Sequence, residues 1–484
     1  MSGTDVEVDG VQIVRPERFI LPEVSGTAVP LRVRRKDEII CDWQLLLRWQ
    51  DGRREQVSFS DCLPLSTGQV FLRPRPGEPQ SELFDKWRRG AREAWLRGDD
   101  PMPPDEVCRR LLVAFANHLE LPPESAAGTV AALTCWTVLT YIHSVFEAVP
   151  YLAIGGATSC GKTRVLDLLE QVIFRPFVTS NLSNSVLFRH LHKSGGTMLI
   201  DEGEQFGSRS PEVAEVFASL LAGYRRGKTV SRSESTGDGN FAPRQYSVSG
   251  PKAIACINEM IPALASRAIP IRMIRAPGNS PKIRLRIAES KDEWAAIRDA
   301  LHAMAMDFGE DWLELPAKQD VCPEMSGRNY ELWQPLLAIA EWLDRHGASG
   351  LYGDLRKHAI RTIESSAEAA VPAEDEVVLR TLCNLVEDGR RPMAKEILQQ
   401  ATTDEPGLFR NWTARRVSAC LGRYGIAGRK SAGKSVYDPS LETLRRVSRT
   451  YQIDLGLPDA DDEIMPHRVA GVDGVDGVHV QQGV

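Results

Sequence analysis

The sequence predicts an α/β protein in which helices cover a parallel sheet, and three observations support this fold class. Strand-like and helix-like segments alternate between Val149 and Ile274, which is the pattern of a parallel sheet with crossover helices. Alternating strand patterns dominate residues 1–76, and helical patterns dominate the segments after Ile274. A chain of 484 residues is too long for one ordinary domain, so we expect several domains.

The composition excludes several classes of protein. Hydrophobic residues make up 42% of the chain and charged residues 26%, which is typical of soluble globular proteins and not of disordered, fibrous or membrane-embedded chains. The nine cysteines form no CxxC pair, and the acidic N-terminus MSGTDVEVDG lacks the features of a signal peptide. We therefore expect a cytoplasmic protein. Because the net charge is -6, any binding to nucleic acid must depend on local basic patches.

One apolar segment is long enough to cross a membrane. Residues from Ser125 to Phe146 carry no formal charge. Four threonines, a glycine and His143 dilute the segment, so a buried helix is the favoured interpretation and a membrane span the alternative.

Turn residues and composition divide the chain into six predicted regions. The last region carries six acids, one arginine and the repeat GVDGVDGV, which is too polar to form a core. A linker is expected at Ala367–Asp375. The predicted regions are a β-rich N-terminal domain at 1–76, a helical segment at 80–148, an α/β core at 149–275, a mostly helical segment at 276–366, a basic domain at 376–455 and a disordered tail at 456–484.

A glycine-rich loop follows the first strand of the α/β core. The strand-like YLAI leads into GATSCGKT, and the helical pattern RVLDLLEQVIF follows directly. In this context the glycines let backbone N–H groups surround the phosphates of ATP, Lys162 reaches the β and γ phosphates, and Thr163 binds Mg²⁺. Cys160 is interpreted as a small loop residue. The alternative is a glycine-rich turn that matches by chance. The expected nucleotide-binding residues are Gly156, Ala157, Thr158, Ser159, Cys160, Gly161, Lys162 and Thr163.

A second motif supplies acidic residues. The apolar strand TMLI ends in Asp201 and Glu202, about 40 residues after the lysine. We expect Asp201 to hold Mg²⁺ and Glu202 to act as the general base toward water. An apolar strand that ends in acids is common by chance, so the assignment depends on its pairing with the phosphate loop.

Two more polar residues stand at the ends of later elements. Asn258 ends the strand KAIACIN, where it would position water beside the γ phosphate; the alternative is an asparagine in a strand-end turn. Arg267 precedes the strand AIPIRM, where it would reach the nucleotide of a neighbouring subunit; the alternative is a surface arginine.

These motifs together resemble the AAA+ ATPases. More closely, the segments LIDEGEQF, GYRRGKTV, GPKAIACIN and SRAIPIRM are similar to a family of uncharacterised primase-helicase-like ATPases of bacteria, phages and mobile elements. The resemblance covers roughly Glu106 to Tyr451. It implies a P-loop core with a helical lid, a ring of identical subunits that is possibly hexameric, and a sensor role for Arg328 in RNYELW; a solvated arginine that begins a helix is the alternative.

A hairpin signature lies before the fourth strand of the core. Residues from Thr229 to Ser235 and the segment FAPRQYSVSG flank the turn TGDGN. In ring helicases of the AAA+ type such a hairpin projects into the central pore, so the resemblance implies contacts with single-stranded DNA; a solvated surface hairpin is the alternative. The basic residues on or near it are Arg225, Arg226, Lys228, Arg232 and Arg244.

The C-terminal region has the larger basic feature. Ten lysines or arginines and two acids lie between Arg410 and Arg449, a net charge of +8. Three helical patterns followed by GRKSAGKSVYD predict a winged-helix domain that binds duplex DNA, and a solvated basic face is the alternative. The expected contacts are Arg415, Arg416 and Arg423 from the third helix, and Arg429, Lys430 and Lys434 from the wing.

The sequence thus predicts a Mg-ATP-hydrolysing, ring-forming AAA+ ATPase that moves along or remodels DNA. One rival is a regulatory or defence switch that binds DNA or protein without unwinding. A third possibility is a degenerate P-loop scaffold, which the intact lysine, threonine and acids disfavour. No polymerase or nuclease carboxylate cluster stands out in residues 1–76, so primase activity is not predicted.

Overall fold

The computed structural model resolves the chain into two compact units, residues 1–362 and 363–484. A few side chains within the described helices and strands are also left undescribed. The described residues are 6–8, 11–35, 38–76, 87–180, 183–201, 203, 211–235, 241–257, 260–431, 434–451 and 453–457.

The N-terminal part forms two four-stranded sheets. One sheet has the order β1-β2-β8-β7 and the other the order β3-β4-β5-β6. On β5, Leu45 and Leu47 belong to one apolar cluster and Leu46 to another, as the period of two in a strand requires. Strands therefore dominate the described residues between Val6 and Leu72. The strands are β1 (Val6–Val8), β2 (Val11–Val14), β3 (Phe19–Ile20), β4 (Val24–Arg35), β5 (Glu38–Trp49), β6 (Arg54–Ser58), β7 (Cys62–Leu65) and β8 (Gly68–Leu72).

Three helices precede the central sheet: α1 (Arg89–Arg97), α2 (Pro104–His118) and α3 (Ala126–Ile142). Within the described part of the chain, α3 with the turn after it is the one segment long and apolar enough to span a membrane. Every residue of α3 from Gly128 onward is buried, and α3 packs against other helices of the protein. These contacts favour the interpretation of a buried core helix.

The central sheet has five strands, all parallel, in the order β10-β11-β14-β9-β15. All four residues of β11 are buried, which accounts for the uninterrupted apolar pattern TMLI. The expected α/β core with a parallel sheet is confirmed. Its elements are β9 (Tyr151–Gly155), α4 (Lys162–Val172), β10 (Pro176–Thr179), α5 (Asn184–Ser194), β11 (Thr197–Ile200), α6 (Pro211–Ala222), β12 (Thr229–Ser235), β13 (Phe241–Ser247), β14 (Lys252–Cys256), α7 (Pro262–Ala265) and β15 (Ala268–Arg272).

The predicted hairpin is present as a two-stranded antiparallel sheet. β12 pairs with β13 from Thr229 opposite Ser247 to Ser235 opposite Phe241. The turn TGDGN lies outside the described residues. The hairpin is inserted between α6 and β14, as its position in the sequence predicts.

Among the described residues, four α-helices lie between β15 and Ala370: α8 (Lys291–Asp307), α9 (Gly309–Glu314), α10 (Gly327–Arg345) and α11 (Leu351–Ala370). The segment at 367–375, which we expected to be a linker, is mostly helical. α11 continues to Ala370, and the next helix begins at Ala373. The residues AEAA favour a helix, and Pro372 limits the break to two residues.

The second unit contains three helices, a short hairpin and a final helix around one apolar core. β16 pairs with β17 in antiparallel fashion, and Met393 forms an isolated bridge with Val436 of β17. The helices and the hairpin lie where the sequence places them. The elements are α12 (Ala373–Glu387), α13 (Ala394–Asp404), α14 (Ala414–Arg423), β16 (Arg429–Ser431), β17 (Lys434–Val436) and α15 (Leu441–Tyr451).

A buried histidine in the core makes the stability dependent on pH. The ring of His190 stacks on Phe177 at 3.8 Å and is 6% exposed, and neither ring nitrogen has a hydrogen-bond partner among the described residues. Burial lowers the pKa of His190 from its ordinary value of 6.5 to about 4. Between these values the unfolded chain binds the proton and the folded chain does not, so stability falls as the pH falls.

We predict that His190→Phe weakens this pH dependence. Phenylalanine keeps the stacking but cannot bind a proton. Between pH 6.5 and 4.5 the unfolding free energy of the variant should therefore fall less steeply with falling pH, and the difference in slope should correspond to the uptake of up to about one proton fewer on unfolding. Urea unfolding at a series of pH values measures the slope. At pH 8 the variant and the wild type should agree within about 1.5 kcal/mol, and an unchanged slope would contradict the prediction.

Candidate nucleotide site

The glycine-rich loop connects the end of β9 to the start of α4. Gly156 has φ +150° and Gly161 has φ +95°, both in the region that favours glycine. A Cβ atom on Gly156 would lie 2.6 Å from the Sγ atom of Cys160 and 2.6 Å from the carbonyl oxygen of Met273. The buried Cys160 therefore fills the space under the loop, and the end of β15 closes its side.

Lys162 is the first residue of α4, and its side chain turns back into the loop. Its Nζ atom donates to the carbonyl oxygens of Gly156 at 2.8 Å and Ala157 at 3.0 Å. The ammonium group is thus held at the centre of the loop, where it can interact with an anion that the loop surrounds.

The threonine of the loop contacts the acid at the end of β11. Thr163 Oγ1 donates to Asp201 Oδ2 at 3.1 Å, although 38 residues separate them in the chain. The backbone N–H of Asp201 donates to the carbonyl of Thr179 at 3.0 Å, which fixes the acid just beyond the strand. The parallel sheet therefore brings together the two residues that the sequence predicts as Mg²⁺ ligands.

The surroundings of Asp201 are suited to a hard cation. Burial raises the pKa of the nearby Asp167 carboxyl, and the charges of Glu170 and Asp201 raise it further. Thr163 and Asp201 both present oxygen atoms, and Mg²⁺ in phosphate-binding sites takes one or two protein ligands and the rest from phosphates and water. Among the described residues no group of three His, Cys, Asp or Glu side chains forms a metal site by itself.

A cavity of about 200 Å³ lies beside the loop and was not predicted from the sequence. Its walls include Ser159, Arg164, Met273 and Lys282. Arg164 donates to the carbonyl oxygens of His118 at 2.9 Å and Leu285 at 2.6 Å, which ties α4 to the segments that enclose the cavity. The residue after the phosphate motif carries no motif signal, so sequence reasoning had no means of finding Arg164.

The other predicted catalytic residues are not all described. Glu202 and Asn258 lie outside the described residues. The Nε atom of Arg267 donates to the carbonyl of Leu221 at 3.2 Å, and its Nη1 atom donates to the carbonyl of Ala263. The role of Arg267 toward a neighbouring subunit stays a prediction. Its contacts within this chain hold its guanidinium against the ends of α6 and α7.

Arg328 lies in the first turn of α10. Its Nη1 atom is 3.5 Å from Glu331 Oε2, and its guanidinium carbon lies 5.0 Å from the centre of the Tyr224 ring. The sensor role predicted for Arg328 is not tested by these contacts, which place the side chain beside a carboxylate and an aromatic ring.

Two of the arginines predicted to bind DNA at the base of the hairpin contact the protein itself. Arg225 forms an ion pair with Glu331. Arg226 donates to the carbonyl of Ser144 at 2.7 Å. Lys228 is exposed. The DNA contacts of Arg225 and Arg226 stay predictions, and binding DNA through them would require these internal contacts to open.

The two arginines on the hairpin strands lie opposite each other. Arg232 on β12 pairs in register with Arg244 on β13. Arg232 Nη2 is 3.3 Å from Glu215, and its guanidinium lies 5.4 Å from the Phe188 ring. Arg244 lies 5.9 Å from the ring of Tyr246. This pairing concentrates two positive charges at one level of the hairpin.

In the second unit, the basic residues of α14 lie opposite its buried face. Arg415 and Arg416 are exposed, and Arg416 lies 4.5 Å from the ring of Trp412. Arg429 and Lys430 on β16 are exposed as well. These side chains are accessible for phosphate contacts, which is what their predicted role requires.

Arg423 is held differently from the other predicted contacts. Its Nη2 atom donates to both carboxylate oxygens of Asp375, at 2.8 and 2.6 Å, and Tyr424 donates to the same carboxylate at 3.0 Å. Asp375 is buried, so this pair links α14 to α12. Lys434 lies on β17, and its side chain is outside the described part of the chain.

No protein family description matches this chain. No curated protein matches it either. The chain is similar to a solved structure described as the A form apo structure of the NrS-1 C terminal region, CTR(305-718), with 12% sequence identity over 81% of this chain and 93% of that chain and a TM-score of 0.33. At this level the similarity assigns no function, so the proposals below rest on the residues of this chain.

We predict that Gly156→Ala impairs the phosphate loop. The added methyl group would collide with Cys160 Sγ and the Met273 carbonyl, at a φ angle that costs a side chain about 1–3 kcal/mol. ATP affinity, measured by equilibrium titration with a fluorescent analogue, should fall by about tenfold or more.

Gly155→Ala is the matched control. A Cβ atom there has no atom within 4 Å, and the backbone is not in the left-handed region. ATP affinity should stay within about threefold of the wild type. Equal losses in the two variants would argue against the tight geometry described for the loop.

Proposed function

We propose that this chain is an ATPase of the AAA+ type that hydrolyses Mg-ATP and couples hydrolysis to movement along DNA or its remodelling. The observation that carries the proposal is the contact between Thr163 and Asp201 at the edge of the parallel sheet, beside a loop wound around the ammonium group of Lys162. Each of these residues has a type and a position suited to phosphoryl transfer.

The order of the sheet supports the assignment of roles. β9 lies between β14 and β15, and β11 lies on the other side of β14. Because the strands are parallel, the phosphate loop after β9, Asp201 after β11 and the chain after β14 share one edge of the sheet. Glu202 and Asn258 follow β11 and β14 in the sequence, which is consistent with their proposed roles in activating and positioning water.

Bound Mg²⁺ would neutralise charge on the transferring phosphate. In the proposed site Thr163 and Asp201 hold the ion, and Lys162 contacts the β and γ phosphates. The cavity beside Arg164 and Lys282 would take the nucleoside, since it adjoins the loop at Ser159. Arg267 would act on the nucleotide of the next subunit in a ring.

Two separate basic features support a role on DNA. The hairpin carries Arg232 and Arg244 at one level, and the second unit exposes Arg415, Arg416 and Lys430. Phosphate contacts from such residues are independent of base sequence and weaken with salt. The hairpin would contact single-stranded DNA, and the second unit, which we propose to act as a winged helix, would contact duplex.

A nucleotide-controlled switch is the second candidate. Arg225, Arg226 and Arg423 all form contacts inside the protein, which leaves fewer cations for DNA than the sequence suggests. A switch would change its assembly with nucleotide and bind DNA or protein without displacing strands. An ATPase assay with and without single- and double-stranded DNA across a salt series, combined with a strand-displacement assay, distinguishes the two.

We predict that Lys162→Ala lowers ATP turnover by about 100-fold or more, because the β and γ phosphates lose their positive partner. Glu202→Gln should retain ATP binding and lose turnover to a similar degree, because only activation of water is removed. Steady-state phosphate release and nucleotide titration measure the two effects. Unchanged turnover in either variant, with folding intact, would refute the role assigned to that residue.

The two basic features should be separable. Replacing Arg232 and Arg244 with alanine should reduce DNA-stimulated hydrolysis and leave most duplex binding intact. Replacing Arg415, Arg416 and Lys430 should weaken duplex binding and lower the slope of log affinity against log salt by about 2 to 3, because fewer counterions are released. Phosphate release and fluorescence anisotropy measure these quantities. Similar losses of affinity in both variants, without any effect on DNA-stimulated hydrolysis, would favour the switch.

A further inference from the structure

Glu331 on α10 holds two arginines that belong to different parts of the ATPase unit. One carboxylate oxygen, Oε1, accepts a hydrogen bond from Arg225. The other, Oε2, accepts from the hydroxyl of Tyr224 at 3.2 Å and lies 3.5 Å from Arg328 Nη1. The Glu331 side chain is 28% exposed, so its charge is partly shielded from water.

Arg225 belongs to the base of the hairpin. It lies between α6 and β12, and it forms an antiparallel bridge with Ala148, just before the strand of the phosphate loop. The next residue, Arg226, donates its backbone N–H to the carbonyl of Glu147 at 2.8 Å. A movement of the hairpin base would therefore change the contact between Arg225 and Glu331.

Tyr224 connects these arginines to the sheet. It is 1% exposed, and its carbonyl accepts from the backbone N–H of Val149 at 3.0 Å. Its ring meets that of Tyr151, the first residue of β9, edge to face at 6.3 Å. The hairpin base, the phosphate-loop strand and the start of α10 thus meet at one buried ring and one carboxylate.

The contacts of Glu331 are unequal. Arg328 makes the longest of the three, and its guanidinium is 40% exposed at a helix start where Gly327 has φ +56°. Arg225 is 50% exposed. A guanidinium forms charge-assisted hydrogen bonds with phosphate as it does with carboxylate, so an anion that reaches either arginine competes with Glu331 for it.

We infer that Glu331 is a positioning residue that couples the hairpin base to α10. When one arginine leaves the carboxylate, the other no longer shares Glu331. The free energy of each arginine's contact with Glu331 therefore depends on whether the other contact is formed, and this dependence is reciprocal. The inference deepens the proposed function and rests on it, since it names a contact through which DNA at the hairpin would affect α10 and the strand that leads to the phosphate loop.

A double-mutant cycle tests the coupling without any assay of activity. Arg225→Gln and Arg328→Gln are made singly and together, in the wild type and in Glu331→Gln, and the equilibrium constant for unfolding is measured by urea titration. With Glu331 present, the change in the unfolding equilibrium constant caused by the double substitution should differ from the product of the two single changes by about threefold or more. In the Glu331→Gln background, the change caused by the double substitution should equal the product of the two single changes. Simple multiplication in both backgrounds would overturn the inference.

The functional arm compares Glu331→Gln with Glu341→Gln. Glutamine keeps an acceptor for Tyr224 but removes the charge that holds both arginines. Glu341 is the matched control because it lies on the same helix, is 34% exposed and also contacts two cations, Lys318 at 3.3 Å and Arg345 at 3.2 Å. The ratio of DNA-stimulated to basal ATP turnover should fall by about fivefold or more in Glu331→Gln and stay within about twofold in Glu341→Gln.

Equal ratios in Glu331→Gln and the wild type would overturn the inference and leave the proposed function intact. An equal fall in both glutamine variants would also overturn it, because the effect would then belong to α10 in general. A wild type without DNA-stimulated turnover would contradict the proposed function, and the double-mutant cycle then decides the inference by itself.

Discussion

The common direction of the five strands in the central sheet is the constraint on which the rest of the site depends. Parallel strands place all of their carboxyl ends at one edge, so residues far apart in the chain become neighbours there. Thr163 and Asp201 meet in this way at 3.1 Å. The apolar α3 is buried by its packing against α2, α8 and α10. The phosphate loop is tight because the end of β15 closes it, at the contact of Met273 with Gly156.

Local patterns made much of this architecture predictable. The apolar strands, the loop GATSCGKT and the hairpin residues around TGDGN depend on short-range rules of periodicity and turn formation, and the elements appear where those rules place them. The partners of individual arginines were not predictable. Arg423 pairs with Asp375, 48 residues away, and Arg225 with Glu331, 106 residues away. A basic residue in a sequence is equally compatible with a phosphate and with a distant carboxylate, and only the fold decides between them. The linker predicted at 367–375 is longer than the two-residue break in the structure, because alanine and glutamate favour continuation of α11 until the chain approaches Pro372.

The attachment of the N-terminal sheets to the core shows a similar limit. Arg15 donates to the carbonyl oxygens of Leu191 and His192, both at 2.9 Å, at the end of α5. Arg175, buried in the core, donates to the carbonyl of Ala28 on β4. Positive side chains near the carboxyl end of a helix interact favourably with its dipole, so such arginines can serve as structural links. These contacts join the β-rich region to the α/β core.

The hairpin is also tied to the sheet by a buried cation. Lys252, the first residue of β14, is fully buried, and its ammonium group donates to carbonyls on both sides of the hairpin: Gly223 before β12 at 3.5 Å, and Val248 and Gly250 after β13, both at 3.0 Å. The ring of Tyr151 lies 4.8 Å from the same nitrogen. Burial lowers the pKa of Lys252 to about 7, whereas three carbonyl acceptors and an aromatic face favour its charged form. Since one side chain on β14, the neighbour of β9, holds both ends of the hairpin, a displacement of the hairpin must strain either these hydrogen bonds or the sheet. The hairpin is therefore connected to the central sheet through Lys252 on β14.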